Sequence, residues 1–118
     1  MSVTFNSKTY TNDVNRTPDI MRYLGPAHTL STNDVVELGR TAPKKTADYA
    51  GKGRARFKLT RNATDGTDSL GDIIVDVQIS TPVGTQESEQ DAILADLAAY
   101  FATASAESLF QDQKIVQV

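Results

Sequence analysis

Two stretches in the middle of the chain alternate in polarity with a period of two, and together they constrain the fold more than any other feature. In Gly53-Arg54-Ala55-Arg56-Phe57-Lys58-Leu59-Thr60-Arg61, an extended backbone puts Ala55, Phe57 and Leu59 on one side. Arg54, Arg56, Lys58 and Thr60 then fall on the other. In Asp72-Ile73-Ile74-Val75-Asp76-Val77-Gln78-Ile79-Ser80 the same alternation sets Ile73, Val75, Val77 and Ile79 against Ile74, Asp76, Gln78 and Ser80. A turn-rich segment, Asn62-Ala63-Thr64-Asp65-Gly66-Thr67-Asp68-Ser69, joins them. Two strands so joined pair antiparallel with their apolar faces together, giving a sheet packed on one side and open on the other. The open side carries the basic residues.

The segments before this pair also read as β. Val3-Thr4-Phe5 and Thr9-Tyr10-Thr11 predict a small N-terminal hairpin, and Thr17-Pro18-Asp19 a turn. Ile20 to Leu24 and Asp34 to Thr41 read as strands, with a short strand expected over His28 to Leu30. A polar, glycine-bearing connection follows over residues 43–53. After Thr81-Pro82-Val83-Gly84 the apolar period lengthens to about 3.6. Thr85 is the expected N-cap, with Glu87, Glu89 and Asp91 in the first turns. Ile93, Leu94, Leu97, Tyr100 and Phe101 form one stripe on a helix over residues 86–102. A second helix starting near Ser105 carries Leu109 and Phe110. The expectation is an α+β domain: a hairpin over residues 1–12, an antiparallel sheet of about five strands over 17–80, and two helices over 85–112.

At 118 residues the chain is one domain's worth. With no Trp, four Phe and four Tyr its supply of large core side chains is thin, so an oligomer is expected to bury the remainder. The net charge of −3 hides a division. Residues 1–63 hold eleven Lys and Arg against five Asp and Glu, a net +6, whereas residues 64–118 hold Lys114 against ten acids, a net −9. A basic side of this kind suits a polyanion. The N-terminus lacks a basic region followed by an apolar one, and no apolar run approaches a membrane span, so a soluble, unexported protein without membrane contact is expected.

Nothing in the sequence assembles into an active site. The absence of Cys removes thiol catalysis, disulfides and thiolate metal sites. The single histidine, His28, reads as an ordinary strand or loop residue. The stretch from Asp65 to Asp72 has Leu70 where a calcium loop needs glycine, and no metal or other cofactor is expected. Gly51-Lys52-Gly53 lacks the upstream glycine of a phosphate-cradling loop, and Asn62-Ala63-Thr64 carries no weight as a glycosylation triplet. Asp72 and Asp76 are expected to pair with Arg54 or Arg56 on the neighbouring strand. Three cations in register point to phosphate contact, and Lys44, Lys45 and Lys52 adjoin them.

The order of parts resembles the coat proteins of single-stranded RNA bacteriophages, the levivirus-like family. The local text is also similar, in Tyr23-Leu24-Gly25-Pro26-Ala27-His28-Thr29-Leu30, in Leu38-Gly39-Arg40-Thr41-Ala42-Pro43-Lys44 and in residues 54–61. The resemblance covers essentially the whole chain. It implies a non-enzymatic capsid protein whose subunits join edge to edge into an intertwined dimer, each laying its helices over its partner's sheet. Leu94, Leu97, Tyr100, Phe101, Leu109 and Phe110 would lie in that interface. Dimers would build an icosahedral shell in the bacterial host cytoplasm, with genomic RNA on the inner sheet face and a minor maturation protein as a further virion partner.

By position the RNA face would comprise Arg54, Arg56, Lys58 and Thr60, flanked by Asp76 and Gln78 and by Glu37, Gly39 and Thr41. Residues 62–70 would meet their copies around the symmetry axes. Repression of replicase translation through an RNA hairpin is a further implication, although Asp76 and Gln78 stand where a base-stacking aromatic would help. The alternative is a dimeric nucleic-acid-binding regulator that uses the same strand without assembling.

Overall fold

The protein is described by a computed structural model covering residues 2–48 and 51–115, without the side chains of residues 14–16 and 69. Its contacts gather into two units, residues 1–83 and 84–118. Positions 49 and 50 of the expected polar connection and the final residues 116–118 lie outside the described residues.

The first unit is one antiparallel sheet of six strands in the order of the chain: β1 (Ser2–Phe5), β2 (Lys8–Thr17), β3 (Ile20–Leu24), β4 (Asp34–Thr41), β5 (Lys52–Thr64) and β6 (Ser69–Pro82). Four of the five strands expected over 17–80 form, the one over His28 to Leu30 being absent, and the hairpin adds two more because it is continuous with the sheet: β2 pairs with β1 at one end and β3 at the other. Asn6 and Ser7 both take positive φ, 51° and 61°, the twist that a two-residue hairpin turn requires.

The two alternating stretches pair as read, with Phe57 opposite Val77 and Leu59 opposite Val75. Both strands run further than expected. β5 continues to Thr64 and β6 begins at Ser69, which shortens the turn to residues 65–68. The Asp65 carboxylate explains that economy, since it accepts from the backbone N–H of Thr67 at 2.8 Å and of Asp68 at 2.7 Å. Those two bonds also hold its carboxyl below the usual carboxylate range.

The apolar face is folded over rather than flat. Strands β1 and β5 are four places apart, about 19 Å in a flat sheet. Yet the rings of Phe5 and Phe57 meet edge to face at 6.0 Å, and Phe5 stacks on Tyr10 at 5.0 Å. Register shifts in the β2–β3 pairing, between Asn12 and Val14 and between Asn15 and Thr17, supply the bend. The hairpin therefore closes over a core of Tyr10, Tyr23 and Val36, with Met21, Leu38, Phe57 and Leu59 packed around it. Its cover does not reach β6, where Ile73 and Val75 remain 57% and 39% exposed despite lying on the apolar side.

A buried carboxylate sits at the end of this core. Asp34 is 1% exposed, and its Oδ1 accepts from the Tyr10 hydroxyl at 2.8 Å and from Arg61 Nε at 3.4 Å. Arg61 Nη2 in turn donates to the Tyr10 hydroxyl oxygen at 2.6 Å. Asp34 Oδ2 accepts from the backbone N–H of Ala27, and the Asp34 N–H donates to His28 Nδ1. These bonds draw residues 25–33 into a closed loop, so the short strand expected over His28 to Leu30 does not form. Inside the loop the Thr29 and Thr32 hydroxyls bond at 2.7 Å, and Thr29 Oγ1 also accepts from the N–H groups of Ser31 and Thr32. Asn33 ties the loop to the paired strands β5 and β6, donating through Nδ2 to Asp72 and accepting through its carbonyl from the Asn62 N–H. Asp72 is therefore partnered by Asn33 and not, as expected, by Arg54 or Arg56. Gly25 admits no side chain, because a Cβ there would collide with the Asp34 carboxylate and the Tyr10 ring.

The second unit holds α1 (Glu87–Phe101) and α2 (Ala104–Asp112). The N-cap of α1 is Gln86 and not Thr85, and it makes no side-chain cap bond; Thr85 instead accepts through its carbonyl from Gln90 Nε2. Glu87 and Glu89 occupy the first turn, where the helix dipole favours acids. Helix α2 starts one residue earlier than read, capped by Thr103, whose hydroxyl accepts from the Ala106 N–H. Phe101 connects the two helices through ring contacts with Tyr100 at 5.9 Å and Phe110 at 6.1 Å. Neither helix is long and apolar enough to cross a membrane by itself.

Tyr10→Phe removes the hydroxyl that bridges Asp34 and Arg61 and is expected to lower the unfolding free energy by about 1–3 kcal/mol. Gly25→Ala is expected to cost at least as much through its clash. Urea denaturation measures both, and an unchanged midpoint in either variant would contradict the role given to the buried carboxylate.

Candidate nucleic-acid interface

The face opposite the core is built by strand register. Along β5, Arg54 lies between Thr41 of β4 and Ser80 of β6, Arg56 between Gly39 and Gln78, Lys58 between Glu37 and Asp76, and Thr60 between Val35 and Ile74. All eight side chains picked out from the sequence, namely Glu37, Thr41, Arg54, Arg56, Lys58, Thr60, Asp76 and Gln78, therefore share one face of three adjacent strands. Arg22, opposite Glu37 on β3, extends it, and a contact of 4.0 Å links its Nε to Asp13. The Arg22 addition was missed because its strand shows no clear alternation.

This face is less uniformly basic than the β5 text suggests. Arg56 reaches diagonally to β6 and grips Asp76 with both prongs: Nε donates to Oδ1 at 2.8 Å and Nη2 to Oδ2 at 2.6 Å. That fork geometry is the strong form of a charge-assisted pair. The Arg56 hydrogen bond holds the Asp76 carboxyl below the usual carboxylate range, and Asp76 raises the Arg56 guanidinium in return. One of the two pairings expected of the β6 acids is thus present, through Asp76.

The charges consequently vary along β5. Lys58 has an acid on each side, Glu37 and Asp76, whereas Arg54 has a hydroxyl on each side, Thr41 and Ser80. Next to Arg54, Lys44 and Lys52 join Thr41, Ala42 and Gly51 in lining a concave depression. Gly51, with φ of 95°, lets the backbone pass against Lys44 there. This end of the face offers cationic and hydroxyl donors, and the surface towards Lys58 a mixed set of donors and acceptors.

The residues expected at a subunit interface belong to the helical unit. Leu94, Tyr100, Phe101 and Phe110 are 54%, 41%, 50% and 64% exposed in the single chain, with Leu97 and Leu109 half-buried. No group of three or more His, Cys, Asp or Glu able to hold a metal occurs among the described residues. His28 is used as an acceptor within its loop.

No family model and no curated protein matches the sequence. Solved structures do match its fold. The chain superposes on one from the virus-like particle of Wenzhou levi-like virus 4 with a TM-score of 0.78 and 23% identity, over 87% of this chain and 75% of that one. For the virus-like particle of Beihai levi-like virus 32 the TM-score is 0.84 at 15% identity, over 97% and 92%. For that of bacteriophage AVE019 it is 0.75 at 12% identity, over 99% and 96%. The chain thus has the levivirus-like coat-protein fold.

Proposed function

We propose that this protein is a capsid subunit, structural rather than catalytic, whose residues 1–118 act as one coat domain that dimerises, builds a shell and packages single-stranded RNA. The observation that carries the reading is the near-complete correspondence with a chain of a virus-like particle, 97% of this chain on 92% of the other. Two features of the molecule support dimerisation. Strand β6 is an edge strand of 14 residues, and Ile73, Ile74 and Val75 on it are exposed. An edge so long and apolar is a template for pairing with another strand. The helices add an exposed apolar surface around Leu94, Tyr100 and Phe101, and a second copy related by a two-fold axis buries both. The face of β4, β5 and β6 then takes the RNA, with phosphate contacts centred on Arg54, Lys52 and Lys44. Repression through an RNA hairpin and a minor virion protein as partner belong to the same reading.

Expression of the chain alone is expected to give large hollow particles in electron micrographs that release RNA when disrupted. Only soluble monomers or dimers across the accessible salt range would overturn the proposal. Leu97→Asp should prevent dimerisation, read by analytical ultracentrifugation, and a well-folded dimer of this variant would exclude the helical stripe from the interface. Arg54→Ala should flatten the salt dependence of RNA binding by about 0.7 in the log–log slope, the value of one single-strand phosphate contact. An unchanged slope would remove Arg54 from the RNA site.

A further inference from the structure

We propose that Asp76 attenuates the RNA affinity of the sheet face by holding Arg56 in a two-pronged pair, so that Arg56 is kept from acting as a phosphate ligand. The proposal rests on the RNA-binding reading above and specifies how that face is regulated. Among the cations that the β5 alternation lines up, Arg56 has a carboxylate clasped to it, both oxygens engaged at 2.8 and 2.6 Å.

Register explains why Arg56 and not Lys58 is taken. Lys58 lies directly opposite Asp76, but an ammonium is a point charge and cannot match both carboxylate oxygens in a plane. Arg56 is one pair further along, with Gln78 opposite, and its guanidinium reaches diagonally. On its other side stands Gly39, which has no side chain to offer, so the guanidinium turns towards β6. A phosphate approaching this point has to displace a carboxylate that already has the geometry a phosphate would use. The pair as a whole adds no net charge to the field seen by a polyanion. Asp76 and its arginine are about one-third and just under one-half exposed, so both atoms of the clasp face solvent and any incoming strand.

The sequence reading counts Arg56 as one of three equal cations. The geometry makes a different and measurable claim, because each released counterion enters the salt dependence of binding. The 118-residue chain, kept below the concentration at which particles form, is titrated with fluorescent oligouridylate across a salt series. Asp76→Asn frees Arg56 and should steepen the log–log slope by about 0.7, with tighter binding at low salt. Removing both partners together, as Arg56→Gln with Asp76→Asn, should return the wild-type slope. A double variant whose slope falls by about 0.7 would make Arg56 a direct phosphate ligand and overturn the proposal, as would Asp76→Asn with no change. Circular dichroism checks folding, and Asp76→Ser replaces Asp76→Asn if the latter does not fold. A wild-type protein that shows no salt-dependent binding fails the RNA reading itself. Wild-type binding that depends on Arg54 but not on Asp76 fails only the attenuation.

Discussion

A carboxylate cannot be taken out of water unless the fold supplies it with charge and hydrogen bonds, and Asp34 obtains both from strands far apart in the chain. Arg61 comes from the end of β5 and Tyr10 from the hairpin, while Ala27 and His28 come from the loop preceding Asp34 itself. One buried group therefore ties down four segments. It closes the hairpin over the core, shapes the loop of residues 25–33, and matches the start of β4 to the end of β5, where Asp34 stands directly opposite Arg61. The hydroxyl of Tyr10 lies between the two charges, and burial together with its bond to Asp34 makes that phenol harder to ionise than an ordinary tyrosine.

This matters for the other face because strand register is all or nothing. Sliding β4 by one residue against β5 would strand Asp34 without Arg61 and turn Val36 and Leu38 out of the core. The same slip would destroy the opposite surface, where Glu37, Lys58 and Asp76 form a row across three strands and Thr41, Arg54 and Ser80 form another. The Asp34 cluster is a register pin whose consequence is read on the far side of the sheet. The clasp of Arg56 by Asp76 depends in the same way on the register of β5 against β6, since a diagonal reach exists only for one relative placement of those strands.

Periodicity made much of this legible in the sequence. The period of two in residues 54–60 and 73–79 assigned both faces of β5 and β6 correctly, and the change to 3.6 after Gly84 located the helices within a residue or two. What periodicity cannot carry is pairing across strands. Arg56 with Asp76 was one of several combinations open to the sequence, and Asp72 went to Asn33 through a loop contact that no local pattern encodes. The buried cluster was missed although a signal existed. Arg61 continues the series Ala55, Phe57, Leu59 onto the core face, and a core arginine demands an acid. Asp34 shares the parity of Val36 and Leu38 and is the acid that answers it. The loop from Gly25 misled because Thr29 and Leu30 have the composition of a strand, while hydroxyl bonds local to Thr29 and Thr32 compete for the same backbone groups.

The limits of the core follow from the same construction. A hairpin folded over from β1 reaches as far as Phe57 on β5 and leaves Ile73 and Val75 of β6 exposed. Among the described residues the apolar cluster buries Tyr10, Tyr23 and Val36 nearly completely, whereas Ile73, Val75, Tyr100, Phe101 and Phe110 stay at least one-third exposed. Large apolar groups retained on an edge strand invite association. The chain places its surplus apolar surface on an edge strand and on its helices. On the proposed reading, the edge of β6 and the helices serve dimerisation while the face of β4, β5 and β6 serves RNA, so that Leu97 on α1 and Arg54 on β5 are separable by mutation.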